Sequence, residues 1–114
     1  PEGTSAICPS GGSVGVLLGN GDGTFQAVRN YTSQGLVAWM SVADVNGDGN
    51  PDIISSNEFS RNISVFLGAG NGTFGPSTNF TAGYDPVGIA AADFNQDGKI
   101  DLVVELFLFQ VGQK

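Results

Sequence analysis

A gapless internal repeat constrains this 114-residue chain more than any other feature. The segment Val16-Leu17-Leu18-Gly19-Asn20-Gly21-Asp22-Gly23-Thr24-Phe25 aligns with Val65-Phe66-Leu67-Gly68-Ala69-Gly70-Asn71-Gly72-Thr73-Phe74 at an offset of 49. At the same offset Asn30-Tyr31-Thr32 meets Asn79-Phe80-Thr81, and Ala43 meets Ala92. A constant offset without insertions signals tandem units, each burying its apolar face only by stacking on a neighbour.

The unit reads as β structure. Apolar stretches are short, no long segment repeats at the helical period, and the 18 glycines punctuate turns. In the one complete unit, strands are expected over Val37–Ala43, Asp52–Ser56, Asn62–Leu67 and from near Phe74 to Thr81. In the third, Ile63, Val65 and Leu67 share a face. A polar turn around Glu58 and Ser60 and a Gly-rich turn over Gly68–Gly72 connect them. Four strands in roughly 50 residues is the size of a propeller blade. A β-sandwich would explain the strands but not the strict repeat.

The expected fold is therefore all-β, with β-propeller blades of four antiparallel strands, about two per chain and in permuted phase. Residues 13–36 form the second half of a blade (strands Val14–Leu18 and Phe25–Tyr31). Residues 37–86 form a complete blade, and 87–106 the first half of another (strands Val87–Ala92 and Asp101–Val104). Residues 1–12 are an N-terminal extension. Residues 107–114 are an atypical apolar tail, in a region where Glu105-Leu106-Phe107-Leu108-Phe109-Gln110 replaces the polar Ser56–Arg61 turn. That apolar run is either incidental or a contact strand. Fewer than three repeats rarely bury a continuous core, and closed propellers use about 4–8 blades. The chain starts at Pro1 without Met, as a processed or excised piece would. Either it is part of a longer propeller, or it is a homo-oligomer, a trimer or tetramer whose copies close a ring.

Two acidic loops carry the chemistry. Asp44-Val45-Asn46-Gly47-Asp48-Gly49-Asn50-Pro51-Asp52 and Asp93-Phe94-Asn95-Gln96-Asp97-Gly98-Lys99-Ile100-Asp101 both read D-x-N-x-D-G-x-x-D. Side-chain oxygens at positions 1, 3, 5 and 9 would come from Asp44, Asn46, Asp48 and Asp52, and from Asp93, Asn95, Asp97 and Asp101. Position 7, Asn50 or Lys99, would offer its backbone carbonyl, and glycine at position 6 allows the bend. Such a set suits a hard cation, and Ca²⁺ over the more strictly octahedral Mg²⁺. An EF-hand is excluded, because Ser55 and Val104 stand where it needs Glu. Metal-free Asx-rich turns are the alternative, but turns do not require three acids at fixed positions.

The loops hold six of the eleven acidic residues behind the net charge of −7. No basic stripe exists to neutralise phosphates, so nucleic acid is not an expected partner. No apolar run approaches the roughly 20 residues of a membrane helix, so membrane insertion is not expected. The absence of histidine removes the usual general base and the usual zinc ligand together, so an enzyme is not expected. Cys8 is alone, which rules out an intrachain disulfide. The Gly19–Thr24 and Gly68–Thr73 segments lack the lysine of a phosphate-binding loop and read as hairpin turns. Four sequons, at Asn30, Asn62, Asn71 and Asn79, matter only in a glycosylating host. Tyr31, Trp39 and Tyr84 are either packing residues or the lining of a sugar site.

The stretch Val42–Asp52, followed by a strand, together with Leu17–Phe25, resembles the FG-GAP/VCBS-like repeat, which builds the calcium-binding propeller of integrin α chains and many bacterial secreted or surface proteins. The resemblance covers about residues 13–104. It implies two structural Ca²⁺ ions, each in the hairpin between the first two strands of a blade, held by Asp44, Asn46, Asp48, Asn50 and Asp52 and by Asp93, Asn95, Asp97, Lys99 (carbonyl) and Asp101. It also implies a secreted or cell-surface location and a noncatalytic module for extracellular binding or adhesion, with a protein or glycan ligand. A carbohydrate-binding propeller and an accessory segment of a larger secreted enzyme are the alternatives. The incomplete blade count and the tail depart from the family pattern.

Overall fold

The computed structural model describes residues 12–106. Most of the N-terminal extension, including Cys8, and the apolar tail 107–114 lie outside the described residues. Eight strands and no helix make up the described chain: β1 (Ser13–Val16), β2 (Arg29–Thr32), β3 (Leu36–Ala43), β4 (Asp52–Glu58), β5 (Asn62–Phe66), β6 (Thr78–Thr81), β7 (Pro86–Ala92) and β8 (Asp101–Leu106). They form three antiparallel sheets, ordered β1-β2, β3-β4-β5-β6 and β7-β8.

Alternation of side chains across β4 and β5 gives the central sheet two apolar faces. Ile54 pairs with Val65 and Ile53 with Phe66, so each pair shares one side. On one side Ile54, Ile63 and Val65 bury against Ile89 of β7, with Leu102 and Val104 of β8 packed on them. On the other side Ile53 and Phe66 bury against Val14 of β1, with Val16 and Tyr31 alongside. Burying each such side chain is worth about 1.5–3 kcal/mol. The second side also carries a buried polar ladder. Asn57 Nδ2 donates to Ser64 Oγ (2.8 Å) and to Asn62 Oδ1 (2.9 Å), and Ser64 Oγ donates to Asn79 Oδ1 (2.6 Å). The central sheet is thus covered on both sides, and Ser41 Oγ of β3 donates to the Ile89 carbonyl of β7 (2.9 Å). The radius of gyration, 16.3 Å, exceeds the roughly 12–13 Å of a compact domain of this size, as befits sheets stacked in a row.

Several boundaries differ from those read in the sequence, among them the end of β1 at Val16 rather than Leu18 and of β8 at Leu106 rather than Val104. The expected strands from Phe25 and Phe74 begin only at Arg29 and Thr78. Phe25 and Phe74 make single bridges, to Gly19 and Gly68. One extra residue then enters before the ladder resumes at Val16↔Arg29 and Val65↔Thr78, so both units carry the same bulge. β4 runs on to Glu58, leaving a tight turn in which Phe59 and Arg61 both take positive φ (69° and 58°). Leu67 lies past the end of β5 and is half-exposed, lining an apolar groove with Ile63 and Val65.

Candidate metal centres

The two acidic loops join β3 to β4 and β7 to β8, the same position in two successive sheets. Leaving β3, Asp44 folds its carboxylate back over the loop. Its Oδ1 accepts from the Gly47 and Asp48 amides (2.9 and 3.2 Å) and its Oδ2 from Gly49 (2.7 Å). Asp48 Oδ1 accepts from the Asn50 amide (2.9 Å). Glycine conformations permit the curl, with φ of 73° at Gly47 and 87° at Gly49. The second loop copies the first. Asp93 accepts from the Asp97 and Gly98 amides (3.1 and 2.6 Å), and Asp97 Oδ1 from Lys99 (2.9 Å). One difference stands out: Gln96 occupies the place of Gly47 and takes φ 60°, a left-handed conformation that costs a non-glycine residue.

The ninth residue of each loop anchors it. Asp52 is fully buried at the start of β4. Its Oδ2 accepts from the Val45 amide (2.9 Å) and its Oδ1 from the Gly68 amide (2.8 Å), so one carboxylate ties the loop to the β5–β6 turn. Asp101 Oδ2 accepts from Phe94 in the same way (2.9 Å). Sequence reasoning treated Asp52 only as a ligand and missed Gly68 as its donor. The signal was the alignment of Gly19 with Gly68, an invariance of the repeat outside the acidic motif.

Hydrogen bonds from the Gly49 amide and its neighbours outweigh burial and hold the Asp44 carboxyl below its ordinary value of 3.8. At Asp93 burial pushes the other way, but amide donors led by Gly98 together prevail, and it too is lowered. Both groups stay ionised in neutral solution.

In each loop three carboxylates converge. One oxygen each from Asp44, Asp48 and Asp52 lie within 4.8 Å of one another, and the same holds for Asp93, Asp97 and Asp101. Two oxygens bound to one Ca²⁺ at 2.3–2.6 Å can be at most about 5 Å apart, so both clusters fit one ion with little adjustment. The donors are all oxygen, as that cation prefers. Asn46 and Asn95 are exposed and fall in sequence between the first two of these carboxylates, and the backbone amides of Asn50 and Lys99 donate to the fifth-position aspartates. The loops are neighbours, sharing an open cleft of about 800 Å³ between Asp44–Gly47 and Asp97–Asp101.

A family model described as an FG-GAP-like repeat matches residues 5–55 and again residues 44–104. The chain belongs to the FG-GAP-like repeat family. The two FG-GAP-like matches overlap on the first acidic loop, which ends one and opens the other. Repeats of this family often bind calcium, are generally noncatalytic and are typical of extracellular proteins. No helix among the described residues is long and apolar enough to cross a membrane. Neither a curated protein nor a solved structure matches the chain.

Of the aromatic residues singled out in the sequence, Tyr31 is a packing residue. It meets Phe66 and Phe74 edge-on (centroids 6.5 and 5.6 Å), and its hydroxyl accepts from the Phe74 amide (3.3 Å). One face of Tyr84 is covered by the Arg61 guanidinium, 4.1 Å from the ring centre. Trp39 remains half-exposed, beside a shallow groove lined by Val87–Ala90 and Glu105.

Proposed function

We propose that this FG-GAP-like chain is a noncatalytic, calcium-binding β-propeller module for extracellular binding or adhesion, in which calcium is structural. The observation that carries the reading is the repetition of one oxygen cage at one place in two stacked sheets, three carboxylates converging each time. Three like charges in one loop repel each other, and a divalent cation offsets that repulsion. Because Asp52 also holds the Gly68 turn, order in the first loop is passed to the third and fourth strands of its sheet. The four-stranded antiparallel β3–β6 sheet has the make-up of one blade, and its two-stranded neighbours are half-blades. These are completed by further repeats, either in a longer propeller chain or in copies that close a trimeric or tetrameric ring.

Melting with and without a chelator tests the calcium reading. With Ca²⁺ at ten times Kd each site adds about 1.4 kcal/mol, and each kcal/mol moves the Tm of a domain this size by about 4–8 °C. A Tm indifferent to chelation refutes the reading. A second reading, a glycan platform, is favoured by Trp39 alone, since it keeps an open ring beside a groove while Arg61 lies over Tyr84. A glycan array with the intact protein and Trp39→Ala decides that question.

A further inference from the structure

The outer sheets carry complementary edges. By the repeat, β8 is the counterpart of β4 and β1 the counterpart of β5. In the central sheet β4 and β5 pair from Ile53↔Phe66 to Asn57↔Asn62. Among the described residues β8 pairs only with β7, and β1 only with β2. Their apolar side chains show the difference. Val103 of β8 is 53% exposed and Leu17, the residue just after β1, 54%, whereas their counterparts Ile54 and Phe66 are 0% and 1% exposed.

We propose that β8 pairs antiparallel with β1 of a second copy of this chain, in the register that the repeat dictates. Leu102 then lies opposite the partner's Leu17, Val103 opposite the partner's Val16, Val104 opposite the partner's Gly15, Glu105 opposite the partner's Val14, and Leu106 opposite the partner's Ser13. The proposal rests on the blade reading above and gives its open edges a defined occupant. The contact is head-to-tail, so it repeats until a ring closes.

This pairing completes the second acidic loop in trans. Asp52 accepts backbone N–H groups on both oxygens, from Val45 and from Gly68. Asp101 has the first of these donors, Phe94, on Oδ2. The counterpart of the second is Gly19, which lies in a turn already built like the Gly68 turn. Gly19 bridges Phe25 as Gly68 bridges Phe74. The Asn20 amide bonds the Thr24 carbonyl as Ala69 bonds Thr73, and Gln26 bonds Leu18 as Gly75 bonds Leu67. A second copy therefore offers a preformed Gly19 N–H to Asp101 Oδ1.

Charge favours a second copy over an unrelated strand. Inside the chain, the Asn50 side chain presses on the Gly68–Thr73 turn so closely that a Cβ on Gly70 would collide with it. Asn71 is the next residue of that turn. At the proposed junction the counterpart of Asn50 is Lys99, and that of Asn71 is the partner's Asp22. Neutral residues on the two sides of this contact within the chain are thus replaced by opposite charges on the two sides of the junction, the arrangement that electrostatic complementarity favours.

Charge reversal, read by sedimentation of the full chain in Ca²⁺ over a wide concentration range, tests the junction. The unmodified chain should associate. Asp22→Lys and Lys99→Glu, both at exposed side chains, should each weaken association about tenfold. Combining the two substitutions in one chain should restore it in a ring of any size, because every junction then joins opposite charges again. A cysteine pair fixes the register in a Cys8→Ser background. Ser13→Cys with Leu106→Cys should give covalent multimers on oxidation, and Ser13→Cys with Val104→Cys should not. An unmodified chain that stays monomeric, single variants that associate normally, or cross-linking only out of register each overturn the proposal. A monomeric chain that still binds Ca²⁺ by calorimetry overturns the junction and leaves the calcium reading standing. In-register association without Ca²⁺ binding does the reverse.

Discussion

Replacing Asp52 by asparagine isolates what that side chain does for the fold apart from any metal. The carboxylate accepts one backbone amide on each oxygen, from Val45 and Gly68, and it is fully buried. Asparagine keeps the shape but has only one acceptor oxygen, so its NH₂ must face the second amide donor. One hydrogen bond to a charged group is lost, and a buried N–H is left without an acceptor. The combined cost is about 2–4 kcal/mol. Asp101→Asn is the internal control. Asp101 is only partly buried and holds one backbone donor, Phe94, among the described residues. Its asparagine can turn its oxygen to that donor, so the cost is about 1 kcal/mol or less. Urea denaturation in chelator, at a protein concentration low enough to keep chains apart, measures both without the metal contribution. Equal losses in the two variants would refute the reasoning, because the difference rests entirely on the second donor, Gly68.

Gln96→Gly should stabilise the protein by about 0.5–1 kcal/mol, as relief of the left-handed strain at φ 60° outweighs the added freedom of the unfolded chain. Gly47→Gln should destabilise the first loop by a similar amount, and chemical denaturation in chelator reads both. The pH dependence follows from Asp44, whose folded pKa lies below its ordinary 3.8. The unfolded chain binds that proton more readily, so the Asp44 contribution is complete above the ordinary value and is lost as pH falls through the folded one. In chelator, stability should therefore decline below about pH 4, and Asp44→Asn should flatten that acid limb. An acid limb unchanged in the variant counts against the amide bonds at Asp44.

The repeat and the alternation of apolar residues were enough to foresee an all-β chain with antiparallel strands, because both patterns are local and periodic. The same holds for the acidic motif: its spacing placed Asp44, Asp48 and Asp52 together, and likewise Asp93, Asp97 and Asp101, since nine residues with glycine at the bend have few ways to curl. The bulge before Arg29 and Thr78 was not legible, because register depends on how the Gly19 and Gly68 bridges seat against the ladder rather than on hydrophobic pattern. Nor could the sequence show that Phe59 sits 70% exposed at positive φ, a choice made by the length to which β4 pairs.

What the sequence determined by itself is the composition of each unit: roughly where strands run, where acidic side chains gather and which glycines permit the turns. What only the tertiary structure decided is how units lean on one another. Ile53 and Ile54 are adjacent in sequence and equally apolar, yet one faces β1 and the other β7. Asp52 and Asp101 occupy the same motif position, yet Gly68 donates to Asp52 from 16 residues away, and the matching donor for Asp101 would be Gly19 of another copy. The physical reason is that ligand type and turn chemistry are local properties, whereas burial and the second hydrogen bond depend on which strand comes to lie alongside.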